Sequence, residues 1–279
     1  MNITLCGVRG SIPTTSPDTR EHGGNTSCVS IEADGCLIVL DAGSGIQNVK
    51  LPPSLKPRRV DILLTHLHID HIQGIGFFKP LFDPTMDIHI WGPAGSTHSL
   101  RSRLGRYLSP PFFPVYFRDL PCHLTLHEIG NSHFDIGPFH ILSRFIIHPG
   151  PTVGFRIEHA SGTFTYLPDH EPALGVTGLS RNPQWLSGSE LSNQTDLLLH
   201  DAQYTALEYP NKQGWGHSSM EDAITYATLT GAKHLLLSHH DPTRTDQELH
   251  ALDKFLKRKI ATTFPYKFSR EGMEIRIER

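Results

Sequence analysis

Thr65-His66-Leu67-His68-Ile69-Asp70-His71 is the stretch on which the reading of this chain turns. It places three imidazoles and a carboxylate within six residues, directly after the apolar run Val60-Asp61-Ile62-Leu63-Leu64. Buried polar groups need partners, so four such side chains together make a poor core. In an extended chain, residues two apart share a face, which lets His66 and His68 project together. Asp70 and His71 follow as the chain turns, and reach the same place from another side. Imidazole and carboxylate at this density point to a metal site; the plainer alternative is a polar loop with no ligand.

Working outward, the chain reads as strands and helices in alternation. Asn2–Val8, Thr26–Ala33 and Cys36–Asp41 are predicted strands, the last two joined by an Asp34-Gly35 hairpin turn. Gly, Pro, Ser and Thr make residues 10–24 a loop. Val60–Thr65 and Asp87–Trp91 read as buried strands, and a helix is expected over Thr97–Tyr107. Prolines keep Ser109-Pro110-Pro111-Phe112-Phe113-Pro114-Val115-Tyr116-Phe117 from being helical. Its aromatics must pack on the body or against a substrate, and whether the segment acts as a lid stays open. Further strands between His123 and Thr165 are expected in pairs separated by Gly130 and by Ser161-Gly162. Ser218-Ser219-Met220-Glu221 reads as a capping box opening a helix to Thr230, closed by Gly231. Thr245-Asp246-Gln247-Glu248 caps another, with an apolar stripe of Leu249, Leu252 and Leu256.

The first motif has internal echoes. Asp61-Ile62-Leu63-Leu64-Thr65-His66 is matched by His234-Leu235-Leu236-Leu237-Ser238-His239, and more loosely by Asp196-Leu197-Leu198-Leu199-His200-Asp201. Three buried strands thus end in residues that handle protons or metals. In sheets covered by helices, ligands collect at strand ends. Two half-domains packed sheet to sheet, with helices outside, are expected to form one domain over residues 1–279.

Composition narrows the partners. The chain has 279 residues, 38% hydrophobic and 19% charged, the balance of a soluble globular protein. A net charge of −3 and a pI near 6.7 leave no footprint for general nucleic-acid binding. Arg101, Arg103, Arg106 and Arg118 supply local positive charge, which a solvated helix face explains as well as a specific RNA does. Cys6, Cys28, Cys36 and Cys122 show no pairing or zinc-ribbon spacing, and read as reduced thiols. Without a secretory start or an apolar run of about 20 residues, a cytoplasmic location is expected, with no membrane partner.

These motifs resemble the metallo-β-lactamase superfamily, whose signature is a His-x-His-x-Asp-His turn after a buried strand, and the resemblance covers essentially the whole chain. It implies an α/β fold, the four-layer αββα sandwich, with its site at strand ends along one edge. By resemblance His66, His68 and His148 match the ligands of a first metal, and Asp70, His71 and His239 those of a second, with Asp169 shared between them. Asp41 matches an early aspartate that orients ligand histidines. His240 competes with His239, whose place in the echo strand favours it, and His170 is unassigned. Two divalent ions are implied; imidazole mixed with carboxylate suits zinc best, then manganese or iron.

A narrower resemblance concerns the reaction. His200-Asp201-Ala202-Gln203-Tyr204 followed by Gly216-His217-Ser218-Ser219 is similar to the late motifs of ribonuclease Z and its phosphodiesterase relatives. There an acidic residue polarises a histidine that protonates the departing alkoxide; here the pair is Asp201 and His217. Ribonuclease Z usually has glutamate at the first position, so this aspartate reaches one methylene less far. A neutral, aspartate-held His217 is the expected donor; the bland alternative is an idle residue at a helix start. The expected activity is hydrolysis of a phosphodiester by a hydroxide held between two ions, with Asp70 binding and orienting it. A cyclic nucleotide, a cyclic phosphate or an RNA 3′ end are the candidate substrates. Processing of tRNA 3′ ends is the alternative, set back by the lack of a long basic arm. Thioester or lactam hydrolysis, or a metal-bearing interaction module, are the remaining readings, and a homodimer is left open.

Overall fold

The computed structural model describes residues 1–278 apart from 54, 56, 57 and 175–177. In chain order the strands and helices are β1 (Asn2–Gly7), β2 (Cys28–Ala33), β3 (Cys36–Leu40), β4 (Arg59–Leu63), α1 (Ile69–Ile72), β5 (Asp87–Pro93), α2 (Leu100–Tyr107), β6 (His123–Ile129), β7 (Ser132–Ile136), β8 (Phe139–Phe145), β9 (Val153–His159), β10 (Gly162–Leu167), α3 (Ser189–Ser192), β11 (Leu197–Asp201), α4 (Met220–Thr230), β12 (Leu235–Ser238), α5 (Asp246–Lys259), β13 (Tyr266–Phe268) and β14 (Glu274–Arg276). They form two seven-stranded sheets, ordered β14-β1-β2-β3-β4-β5-β6 and β13-β12-β11-β10-β9-β8-β7. Each sheet is antiparallel in one half and parallel in the other, with β3 to β6 parallel in the first and β10 to β13 in the second.

Alternation along the strands makes the layers. In β3, Ile38 and Leu40 point between the sheets, where they meet Phe139, Phe155, Ile157, Phe164 and Tyr166 of the second sheet. Leu37 and Val39 point outward and pack with Val60, Ile62, Leu100 and Leu104 beneath α2. The second sheet repeats the arrangement, with Leu198, Leu235 and Leu237 under Ala223, Ile224 and Ala227 of α4 and Leu249 and Leu256 of α5. Helix, sheet, sheet, helix: the four-layer αββα sandwich is the architecture. His66, Asp201 and His239, at the ends of β4, β11 and β12, fall in one run of clustered side chains, so the three echo segments end on one edge.

Gly130 separates two strands as expected, and the two join different sheets: β6 closes the first and β7 opens the second. Two local expectations are corrected. Thr97 and His98 precede the helix rather than begin it, because Ser99 is its cap and accepts from Ser102 N at 3.2 Å. The α4 cap is Ser219, bonded to Asp222 N, and not Ser218 with Glu221. Ser218 is committed elsewhere: its Oγ donates to His170 O at 2.5 Å and its N–H to Asp201. The Thr245–Glu248 box at α5 forms as read. The proline-rich segment divides itself. Phe113 and Phe117 are buried in the core beneath the first sheet, whereas Phe112 and Tyr116 stay exposed.

Candidate metal centre

The centre begins with Asp41, at the end of β3. Its carboxylate accepts Thr65 N–H at 2.7 Å, the Thr65 hydroxyl at 2.9 and 3.0 Å, and Tyr166 OH at 3.1 Å. It also takes His71 Nδ1 at 2.8 Å. A carboxylate only accepts, so Nδ1 carries the hydrogen and Nε2 of His71 is turned to Asp169 and Asp70. Thr65 in turn bonds His66 Nδ1 at 3.0 Å. One buried aspartate therefore fixes the chain at the end of β4 and two histidine rings beyond it.

The side chains singled out by sequence converge. His66, His68 and His148 form one group, and Asp70, His71, Asp169 and His239 another, with the candidate ligand atoms of each within 4.8 Å of one another. Asp169 lies between them. Its Oδ2 is 3.8 Å from His66 Nε2 and 3.7 Å from His148 Nε2, while Oδ1 is 3.0 Å from His71 Nε2 and 3.2 Å from His239 Nδ1. All are buried except His68, which closes the first group on the solvent side. His148 is oriented through Nδ1 by Gly216 O at 2.8 Å, and Asp70 Oδ2 accepts Ser11 N–H at 2.8 Å.

The polar atoms at the middle of this cluster test its fit to a cation. His66 Nε2, His71 Nε2, His239 Nε2 and Asp169 Oδ1 are buried and make no hydrogen bond. Buried polar atoms are nearly always paired, and four in one cluster without a well-formed hydrogen bond are what divalent cations would satisfy. Electrostatics agrees. Burial, with neighbouring imidazoles adding to it, drives His66 well below the ordinary histidine range, and burial brings His148 down to about 4. Such rings are neutral and offer a lone pair. Burial opposes charge on His71 too, but Asp169, Asp70 and Asp41 outweigh it and hold the ring well above that range. Negative charge thus exceeds what the protein neutralises, and a cation can take the place of that proton.

Asp201 and His217 meet at the rim. Asp201 Oδ2 lies 2.6 Å from His217 Nδ1, and Oδ1 accepts the N–H groups of Gln203 and Ser218 at 3.1 and 3.0 Å. The shorter aspartate reaches because β11 carries it to full burial beneath the histidine. The His217 ring stacks on His239 with centroids 4.9 Å apart, and stands 5.2 Å from His148. Burial disfavours the cation, yet Asp201, with Asp169 and Asp70 beyond, raises the ring to about 9. Cations in the cavity would pull it back towards neutrality.

His240 and His170 stand outside the cluster. His240 Nε2 bonds Ser269 O at 2.9 Å, and His170 Nδ1 meets His200 Nε2 at 2.9 Å. Ser11, Tyr166, Gly216 and Glu171 support the site without having been foreseen. Only Gly216, next to His217 in Gly214-Trp215-Gly216, carried a signal, that of a tight turn.

Known proteins resemble the chain in sequence and fold. A family model described as the beta-lactamase superfamily domain matches residues 37–240, which hold every clustered side chain. The chain belongs to the β-lactamase superfamily. Among relatives of this superfamily member, a ribonuclease Z from Exiguobacterium sibiricum is 26% identical over 268 residues, 80% of this chain and 85% of its own. The short form of human tRNase Z shares the fold over 100% of both chains, with a TM-score of 0.67 and 22% identity. Zn2+-bound PqqB from Methylobacterium extorquens does so over 99% and 100%, with a TM-score of 0.71 and 15% identity. Among the described residues of this superfamily member, no helix is long and apolar enough to cross a membrane.

Proposed function

We propose that the protein is a metallo-hydrolase that cleaves phosphodiesters, using two divalent ions, zinc first among the candidates. The observation that carries this reading is the Asp201–His217 pair standing against the His239 and His148 rings. A proton donor beside a cation cluster suits departure of an alkoxide, a poor leaving group that must be protonated. When bound, the ions would supply an acidified water and positive charge against the phosphoryl oxygens.

The chain's own residues do the rest. His66, His68 and His148 would hold one ion, Asp70, His71 and His239 the other, and Asp169 both. Asp70, steadied by the Ser11 N–H, would also orient the attacking water. His217 has Nδ1 tied to Asp201, so the proton leaves from Nε2. The carboxylate holds the ring in one orientation and stabilises it while charged. Because ligands come from both sheets, residues 1–279 would work as one catalytic unit.

A small or single-stranded phosphodiester is the leading substrate: the net charge is −3, and a polyanion the size of tRNA needs a broad basic surface. Maturation of tRNA 3′ ends is the second reading, favoured by the similarity to ribonuclease Z over 80% of this chain. Turnover compared on cyclic nucleotides, bis(p-nitrophenyl) phosphate and precursor tRNA separates them. Activity on a thioester or a lactam with none on the phosphodiesters would overturn both.

A further inference from the structure

Glu171 lies two residues beyond Asp169 and is fully buried. Its backbone N–H donates to Ile147 O at 3.0 Å, beside His148. Its carboxylate is devoted to a single loop. Oε1 accepts Tyr209 OH at 2.6 Å and Gly214 N–H at 2.8 Å, and Oε2 accepts Gly216 N–H at 2.8 Å. Burying a carboxylate is costly unless several donors meet it, and here the donors are the Tyr209 hydroxyl and the backbone N–H groups of residues 214 and 216.

Within the loop the other bonds are short-range, with Lys212 N–H donating to Tyr209 O at 2.8 Å and Trp215 N–H to Lys212 O at 3.1 Å. Residues 213 to 215 are exposed, and Trp215 faces solvent with the Lys212 ammonium 4.0 Å over its ring. Gly214 and Gly216 have φ of +83° and +86°, so neither the conformation nor apolar packing keeps the turn in place. Yet the loop must be placed closely. Gly216 O fixes His148, and a Cβ at Gly216 would fall 2.3 Å from His148 Nδ1. The next residue is His217.

We propose that Glu171 is a positioning residue: its buried carboxylate clamps the 209–216 loop so that His217 stands at the leaving-group side of the metal cluster. Glu171 thereby links the Asp169 strand end, the His148 turn and the proton donor. This inference rests on the phosphodiesterase reading, which supplies the role of His217.

The test compares metal-loaded wild type with Glu171→Gln, which keeps the size of the side chain but puts an amide donor among N–H and O–H donors. Hydrogen exchange, read peptide by peptide at saturating zinc, is expected to quicken about tenfold or more across 209–217 and to stay unchanged in the sheets remote from the site. Hydrolysis of a dinucleoside phosphate, whose leaving group needs a proton, is expected to fall about tenfold to a hundredfold in kcat. Hydrolysis of bis(p-nitrophenyl) phosphate, whose leaving group needs none, should change by less than about threefold. Tyr209→Phe removes one donor and should loosen the same peptide by a smaller factor; it serves if the glutamine variant does not fold. Unchanged exchange in the loop, or loosening spread over the whole protein, overturns the proposal. A His217→Ala control separates the failures. If it spares the dinucleoside phosphate, the proton-donor assignment is wrong; if it impairs that substrate and Glu171→Gln does not, only the clamp is wrong.

Discussion

His217 and Asp41 act on the same cavity in different ways, and single substitutions tell them apart. Replacing His217 by alanine removes the proposed proton donor, and should lower kcat about 10²- to 10⁴-fold with metal content unchanged. Loss of metal from that variant, seen by elemental analysis, would make His217 a ligand instead. Asp41→Asn puts an amide where four donors converge. Metal affinity should fall about 10- to 100-fold by titration calorimetry, since residues that orient ligands contribute on that scale. The clustered residues were legible because each carries a side chain whose chemistry has few other uses, crowded in one motif or standing at the end of an apolar strand. Ser11 and Gly216 were not, because they act through backbone atoms, and a backbone donor or acceptor has no letter of its own. Tyr166 and Glu171 read as an ordinary core tyrosine and a loop acid, and only the folded geometry separates them from others of their kind.

Elements follow from local signals where no tertiary demand competes. At α5 the Thr245 hydroxyl accepts Glu248 N–H at 3.2 Å, and the Glu248 carboxylate accepts both Thr245 donors. Thr245→Ala should therefore destabilise the protein by about 1 kcal/mol in urea denaturation, with hydrolysis unaffected. At α4 the same kind of signal was read one residue early. Ser218 and Ser219 are both good caps, and the sequence does not say that Ser218 is taken by Asp201 and His170 O. Strand partners were harder still. Gly130 punctuates the chain correctly, but whether a strand turns back or crosses to another sheet depends on contacts far along the sequence.

At the scale of the molecule, the sandwich brings β4, β11 and β12 to one edge and leaves four orphaned polar atoms there. A protein built this way should be steadied by its ions. With ions at about a thousand times their dissociation constant, binding stabilises the fold by about 4 kcal/mol. Chelation should then lower Tm by about 8–15 °C, read by calorimetry. Acidification should weaken binding as well. His71 is held above the ordinary histidine range by Asp169, Asp70 and Asp41, so protons compete with the cation at its ring, and more strongly as the pH falls.

The most direct measurement adds zinc stepwise to chelator-stripped protein while recording hydrolysis of bis(p-nitrophenyl) phosphate. The account predicts no turnover at the start and a rise that saturates at about two ions per chain. Turnover that survives stripping, or a fully loaded protein that leaves every phosphodiester intact, would contradict it.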